Sequence, residues 1–220
     1  MPPTIIVGHY GSGKTEFAAN YAQGLLDAGG CPKIADLDIV NPYFRLREKK
    51  EYYAAKGADV VSSTFEAEPH IDTPGLAAGL RACFETEGDS VIDVGGDAVG
   101  ATVLARYAHH LKNRPYEMWM AVNANRPLSD TPKKVLAYMA EIEGAGRLHI
   151  TGLLNTTHML RETAAADVQK GDTLVREVAE QSGLPVVYTV FLRELAPVLE
   201  TLDLAGERFP IVLHMRPKWL

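Results

Sequence analysis

The chain has 220 residues, 46% hydrophobic and 23% charged, with a net charge of -6. That length supports a sizeable buried core, and the acidic balance argues against a general affinity for nucleic acid or acidic membranes. Two cysteines, Cys31 and Cys83, stand far apart and outside any Cys/His cluster, which excludes a disulfide framework or structural zinc as the organising device and points to the reducing cytoplasm.

The start, Met1-Pro2-Pro3, does not read as a signal peptide, and no apolar run is long enough to span a bilayer. Thr4 to Val7 reads as a short buried strand, followed at once by a Gly-rich loop. A helix is expected over Glu16 to Ala28, where Phe17, Tyr21, Leu25 and Leu26 recur at helical spacing, and Gly29-Gly30 ends it. Lys33 to Leu37 is the next strand, then a polar and aromatic segment, a charged helix near Glu48 to Lys56, and a short strand at Asp59 to Ser62. A loop from Glu66 to Pro74 leads to a helix at Leu76 to Thr86 and a strong strand at Ser90 to Val94.

Helices are expected at Ala101 to Leu111, Thr131 to Glu143, Thr173 to Ser182 and Glu194 to Leu202. Strands are expected at Tyr116 to Val122, His149 to Leu154 and Pro185 to Val190. This alternation implies an α/β fold: a mostly parallel central sheet flanked by helices. No linker splits the chain, so residues 1–220 read as one domain.

Gly8-His9-Tyr10-Gly11-Ser12-Gly13-Lys14-Thr15 fits G-x-x-x-x-G-K-[ST] at every fixed position, with a strand before it and a helix opening at Glu16. Glycines let backbone N–H groups close around phosphates at a helix N-terminus. Lys14 supplies a cation beside the β- and γ-phosphates, and the Thr15 hydroxyl can ligate Mg2+. The motif therefore predicts an ATP or GTP site, with Gly8 to Thr15 and the adjoining Glu16 as expected nucleotide contacts.

Asp36 and Asp38 end the second strand, and Asp93 ends the third strong one within Val91-Ile92-Asp93-Val94-Gly95-Gly96. Carboxyl ends of parallel strands face the ligand. Asp93 suits the metal shell, and Gly96 suits a loop whose N–H senses the γ-phosphate; the plain alternative is that these aspartates cap turns. Gly152-Leu-Leu-Asn155-Thr-Thr-His158 is a further strand end, where Asn155 either reads the base or satisfies backbone.

Together Gly8–Thr15, Asp36-Leu-Asp38, Asp93-Val-Gly-Gly96 and Asn155 resemble the MinD/ParA/CobQ-CobB group of P-loop proteins, over most of the chain to about the strand Pro185 to Val190. The resemblance implies that group's fold, with the strand of Asp93 beside the P-loop strand. It implies that Asp38 helps place the attacking water and joins Thr15 and Asp93 around Mg2+, and that Asn155 meets the base. It also implies a switch ATPase that binds ATP and ADP and acts on a partner protein, in cofactor or metalloenzyme maturation, with a homodimer as a further expectation. Where MinD and ParA carry a signature lysine, this chain has His9, which supplies no fixed charge.

Where GTPases carry Asn-Lys-x-Asp, Thr156 and His158 replace the lysine and the aspartate, which favours ATP. A rival reading is a small-molecule enzyme of the dethiobiotin-synthetase or cobyrinate-synthase type, with Arg45, Arg47 and Arg126 around an anionic substrate. Val122-Asn123-Ala124-Asn125-Arg126-Pro127 either lines the site or makes an ordinary turn. Tyr43 and Phe44 form a partner surface or pack into the core, and the tail from Arg216 to Leu220 is disordered or a docking segment.

Overall fold

Strand β1, Thr4–Val7, is buried along its whole length, as expected of a parallel strand covered on both faces. The computed structural model describes residues 2–38, 49–62, 74–85 and 88–215. In it, β1 lies within a sheet of eight strands in the order β3-β2-β4-β1-β5-β6-β7-β8, every neighbouring pair parallel. The strands are β2 Lys33–Leu37, β3 Asp59–Ser62, β4 Ser90–Val94, β5 Glu117–Val122, β6 Gly152–Asn155, β7 Val186–Leu192 and β8 Glu207–Ile211. From β1 the chain runs out to β3, returns to β4, crosses to β5 and continues to β8. The strand carrying Asp93 thus lies beside the P-loop strand, as the resemblance implies.

Successive side chains of β1 serve opposite layers. Ile5 and Val7 join a core with α3 Pro74–Glu85, α4 Ala98–Leu111, α5 Pro132–Gly146 and α6 Ala165–Ser182. Ile6 joins a second core with α1 Lys14–Asp27 and α2 Lys50–Ala55, through Phe17, Ala18, Ala22 and Tyr53. Truncating one such isoleucine to alanine costs about 2–5 kcal/mol, so both layers hold the strand that delivers the Gly-rich loop.

Three elements differ from expectation. Helix α6 begins at Ala165, well before Thr173. Gly171 sits inside the helix, where a Cβ would be driven into Asn155 Oδ1 and Thr157 Oγ1. The Asp167 carboxylate accepts from Ala164 N at 2.9 Å and supports the first turn. The expected final helix shrinks to a 3₁₀ turn, Arg193–Leu195, and one α-turn, α7 Ala196–Leu199. Strand β8 was not anticipated; its exposed Glu207 and Arg208, with Pro210, hide an edge strand. The segments around Tyr43, Phe44, Arg45 and Arg47, and from Arg216 to Leu220, lie outside the described residues.

Candidate nucleotide-binding site

Between β1 and α1 the chain turns through three left-handed or mirror-region glycines: Gly8 (φ 151°), Gly11 (φ 73°) and Gly13 (φ 89°). Side chains with a Cβ rarely adopt these angles. Ser12 N donates to His9 O at 3.0 Å, and α1 opens at Lys14 with Phe17 N donating to Gly13 O at 3.0 Å. The Gly11 carbonyl is held from outside the loop, accepting from Arg126 Nε at 3.0 Å and Asn123 Nδ2 at 3.2 Å. The segment after β5 therefore lines the site rather than making a detached turn.

Lys14, nearly buried, lies 3.7 Å from Asp38 Oδ2. Asp38 N donates to Asp36 Oδ1 at 3.0 Å, and Asp36 pairs in register with Asp93 across β2 and β4. Asp93 is 1% exposed. Its carboxylate accepts a hydrogen bond from the Thr15 side chain; burial pushes its pKa up to about 7, while Lys14 pulls it down and Asp36 adds to the rise. Oδ1 of Asp93 has no hydrogen-bond partner among the described residues, and neither does the buried Ser12 Oγ.

These residues fit a divalent cation. Among the described residues Asp36, Asp38 and Asp93 are buried near Lys14, and an orphaned carboxylate oxygen of Asp93 sits beside the Thr15 hydroxyl. Among the described residues no group of three or more His, Cys, Asp or Glu forms a metal cage. Mg2+ binds through one or two protein groups together with phosphate and water, a role open to Asp93 and Thr15. Gly96, after β4, approaches so closely that a Cβ there would meet Tyr10 N at 2.7 Å. The loop of Asp93 and the phosphate loop thus touch.

His9 is half-buried and stacked on Tyr138 of α5, with centroids 3.6 Å apart and an interplanar angle of 24°. Burial lowers its pKa, Glu141 opposing, so the ring is neutral at pH 7 where MinD and ParA have their lysine. Tyr10 is 68% exposed.

Two expected nucleotide contacts have other partners. Asn155 is wholly buried; its Nδ2 donates to Val168 O at 3.0 Å and its Oδ1 accepts from Thr157 N at 3.2 Å. Its amide braces α6 and the loop after β6. The Glu16 carboxylate accepts from His214 N and Met215 N, turned to the chain beyond β8. His158 stands in the place of the GTPase aspartate, with Nδ1 2.8 Å from Thr156 O and 3.2 Å from Asn123 Nδ2.

A cleft of about 1020 Å3, counted to its open mouth, runs from the loop past Thr156 and His158 to β7 and the chain after β8. Sequence reasoning missed this far wall, because β7 runs past its expected end at Val190 to carry Phe191 and Leu192, and the rest lies on the unanticipated strand β8 and the chain after it. The doubled bond on Gly11 was equally hidden, since Asn123 and Arg126 match no motif.

No family model matches the chain, and no curated protein matches it. Its fold is similar to that of solved structures. FtsY from Mycoplasma mycoides matches with a TM-score of 0.55 and 16% identity, over 85% of this chain and 58% of that one. Signal recognition particle 54 kDa protein from Aeropyrum pernix, in complex with GDP, matches with a TM-score of 0.55 and 18% identity, over 84% and 40%. FtsY from Thermotoga maritima matches with a TM-score of 0.52 and 20% identity, over 85% and 60%. The chain thus spans 40% to 60% of the length of these three proteins. At these identities the similarity shows the fold, and it does not specify the MinD/ParA group. An all-parallel sheet flanked by helices, opening on a Gly-rich loop at β1, gives this chain the P-loop nucleoside-triphosphatase fold.

Proposed function

We propose that the protein binds and hydrolyses a nucleoside triphosphate with Mg2+, preferring ATP, and acts as a nucleotide-dependent switch on a partner protein. The observation that carries this is the meeting of Lys14 and Thr15 with Asp36, Asp38 and Asp93 at adjoining strand ends, beneath a loop of backbone N–H groups. Lys14 neutralises the transferred phosphoryl group, and Asp38 orients the attacking water. Thr15 and Asp93 would hold Mg2+, which would supply charge neutralisation to the bound triphosphate.

The preference for ATP rests on His158, which offers a guanine edge no carboxylate. The GDP in the Aeropyrum pernix protein makes GTP the competitor to measure. Titration with both nucleotides in Mg2+ is expected to show tighter ATP binding; GTP binding tenfold tighter would overturn the base assignment. Lys14→Ala is expected to abolish triphosphate binding by calorimetry and phosphate release, and unchanged values would sink the P-loop reading.

A protein partner is supported by exposed apolar side chains on loops at the carboxyl ends of the strands: Tyr10, Leu128 and Met159, with Val99 at the start of α4. A second copy of this chain is one such partner. Pull-downs with ATP and ADP are expected to retain different proteins. The small-molecule reading is favoured by a shallow recess where Lys170 Nζ donates to Asn125 Oδ1 at 2.9 Å, next to Arg126. Phosphate release stimulated by a metabolite and not by a protein would select it.

A further inference from the structure

Beyond β8 the chain is held to α1 at two points. Val212 N donates to Asn20 Oδ1 at 3.0 Å and Asn20 Nδ2 donates to Val212 O at 2.9 Å, the two-way exchange of a strand neighbour. One turn earlier on the helix, the Glu16 carboxylate accepts from His214 N and Met215 N. Between these anchors Leu213 faces the cleft, and so do Ile211 and Met215 on either side. Glu16 follows directly on Thr15, so helix and strap meet at the start of the phosphate loop's own helix.

The cleft is polar at one end and apolar at the other. Lys14 and Arg126 stand at the loop, whereas Phe191, Leu192, Ile211, Leu213 and Met215 make the far wall. Glu16, the other charged lining residue, spends its carboxylate on the strap. A ligand with an anionic tail and a flat aromatic head matches that division.

We propose that residues 212–215 are a base-binding strap, and that Glu16 and Asn20 are positioning residues that set affinity for the nucleoside half of the ligand. This rests on the nucleotide reading above. The strap closes the apolar wall only while latched. Freeing it lets Leu213 and Met215 leave the base while the phosphate loop stays intact.

Calorimetry with Mg2+, comparing ATP with inorganic tripolyphosphate, tests this. Glu16→Ala and Asn20→Ala are each expected to weaken ATP binding about tenfold, while tripolyphosphate affinity stays within about twofold of wild type. Leu213→Ala, which leaves the latch untouched, is expected to weaken ATP alone and keeps the test open if a latch variant does not fold. Parallel loss of both ligands in the latch variants, or undiminished ATP binding in all three, overturns the strap. Wild-type protein that binds tripolyphosphate as tightly as ATP overturns the strap and leaves the phosphate loop standing. Wild-type protein that binds neither overturns the nucleotide reading and the strap with it.

Discussion

Asp93 is buried close to Asp36, Asp38 and Lys14, so its proton depends on what else is bound there. Its pKa of about 7 in the folded protein compares with about 3.9 in an unfolded chain. Between those values the folded state holds the extra proton. Metal-free stability from this group is therefore full below about pH 4 and is lost as the pH rises through about 7. Asp93→Asn removes that loss. Without Mg2+ the variant is expected to melt above wild type at pH 8, the gap closing toward pH 4, and to forfeit Mg2+-dependent stabilisation. Equal melting points at pH 8, or stabilisation by Mg2+ that survives the substitution, would contradict this account. Asp38→Asn should differ: nucleotide affinity is kept and hydrolysis slows about 100-fold, as expected when a water-positioning group goes. If the two variants prove indistinguishable in binding and turnover, these roles are not separate. Gly8 to Thr15 could be read from the chain alone because its glycines are needed for the turn from β1 into α1. Asn155 could not, because its burial depends on how closely α6 packs on it.

That packing is the element-scale counterpart. Gly171 lets α6 press on Asn155 and Thr157, and Thr157 Oγ1 in turn accepts from Ala124 N at 3.0 Å, tying the loop after β6 to the loop after β5. Gly171→Ala gains helix propensity but overpacks this contact. The expected net result is destabilisation by about 1–3 kcal/mol, measured by urea unfolding. A gain in stability would mean the contact is loose. Local patterns made β2, β3 and β4 readable to the residue, since buried parallel strands are short apolar runs. The first turns of α6 were not readable: glycine and aspartate in mid-helix are explained only by what they touch, here Asn155 for one and Ala205 N, 2.7 Å away, for Asp172.

At the scale of the molecule, all the described strands belong to one sheet, and the cleft is walled by residues from both its centre and its β8 edge. Heat is therefore expected to unfold the chain in one transition, coincident by near- and far-ultraviolet circular dichroism, and MgATP at 100 times its dissociation constant is expected to stabilise it by about 2.7 kcal/mol. Two separated transitions, with only one moved by MgATP, would show that β8 and the cleft are not coupled. The β8 edge has another consequence. Open sheet margins invite neighbouring chains to add a strand. Pro210 has no amide hydrogen to offer such a chain, and Glu207 and Arg208 hold charge along the same rim. The sheet is thus blunted against edge-to-edge growth at its β8 margin. The residues that conceal β8 from a reader of the chain also make it a poor template for aggregation.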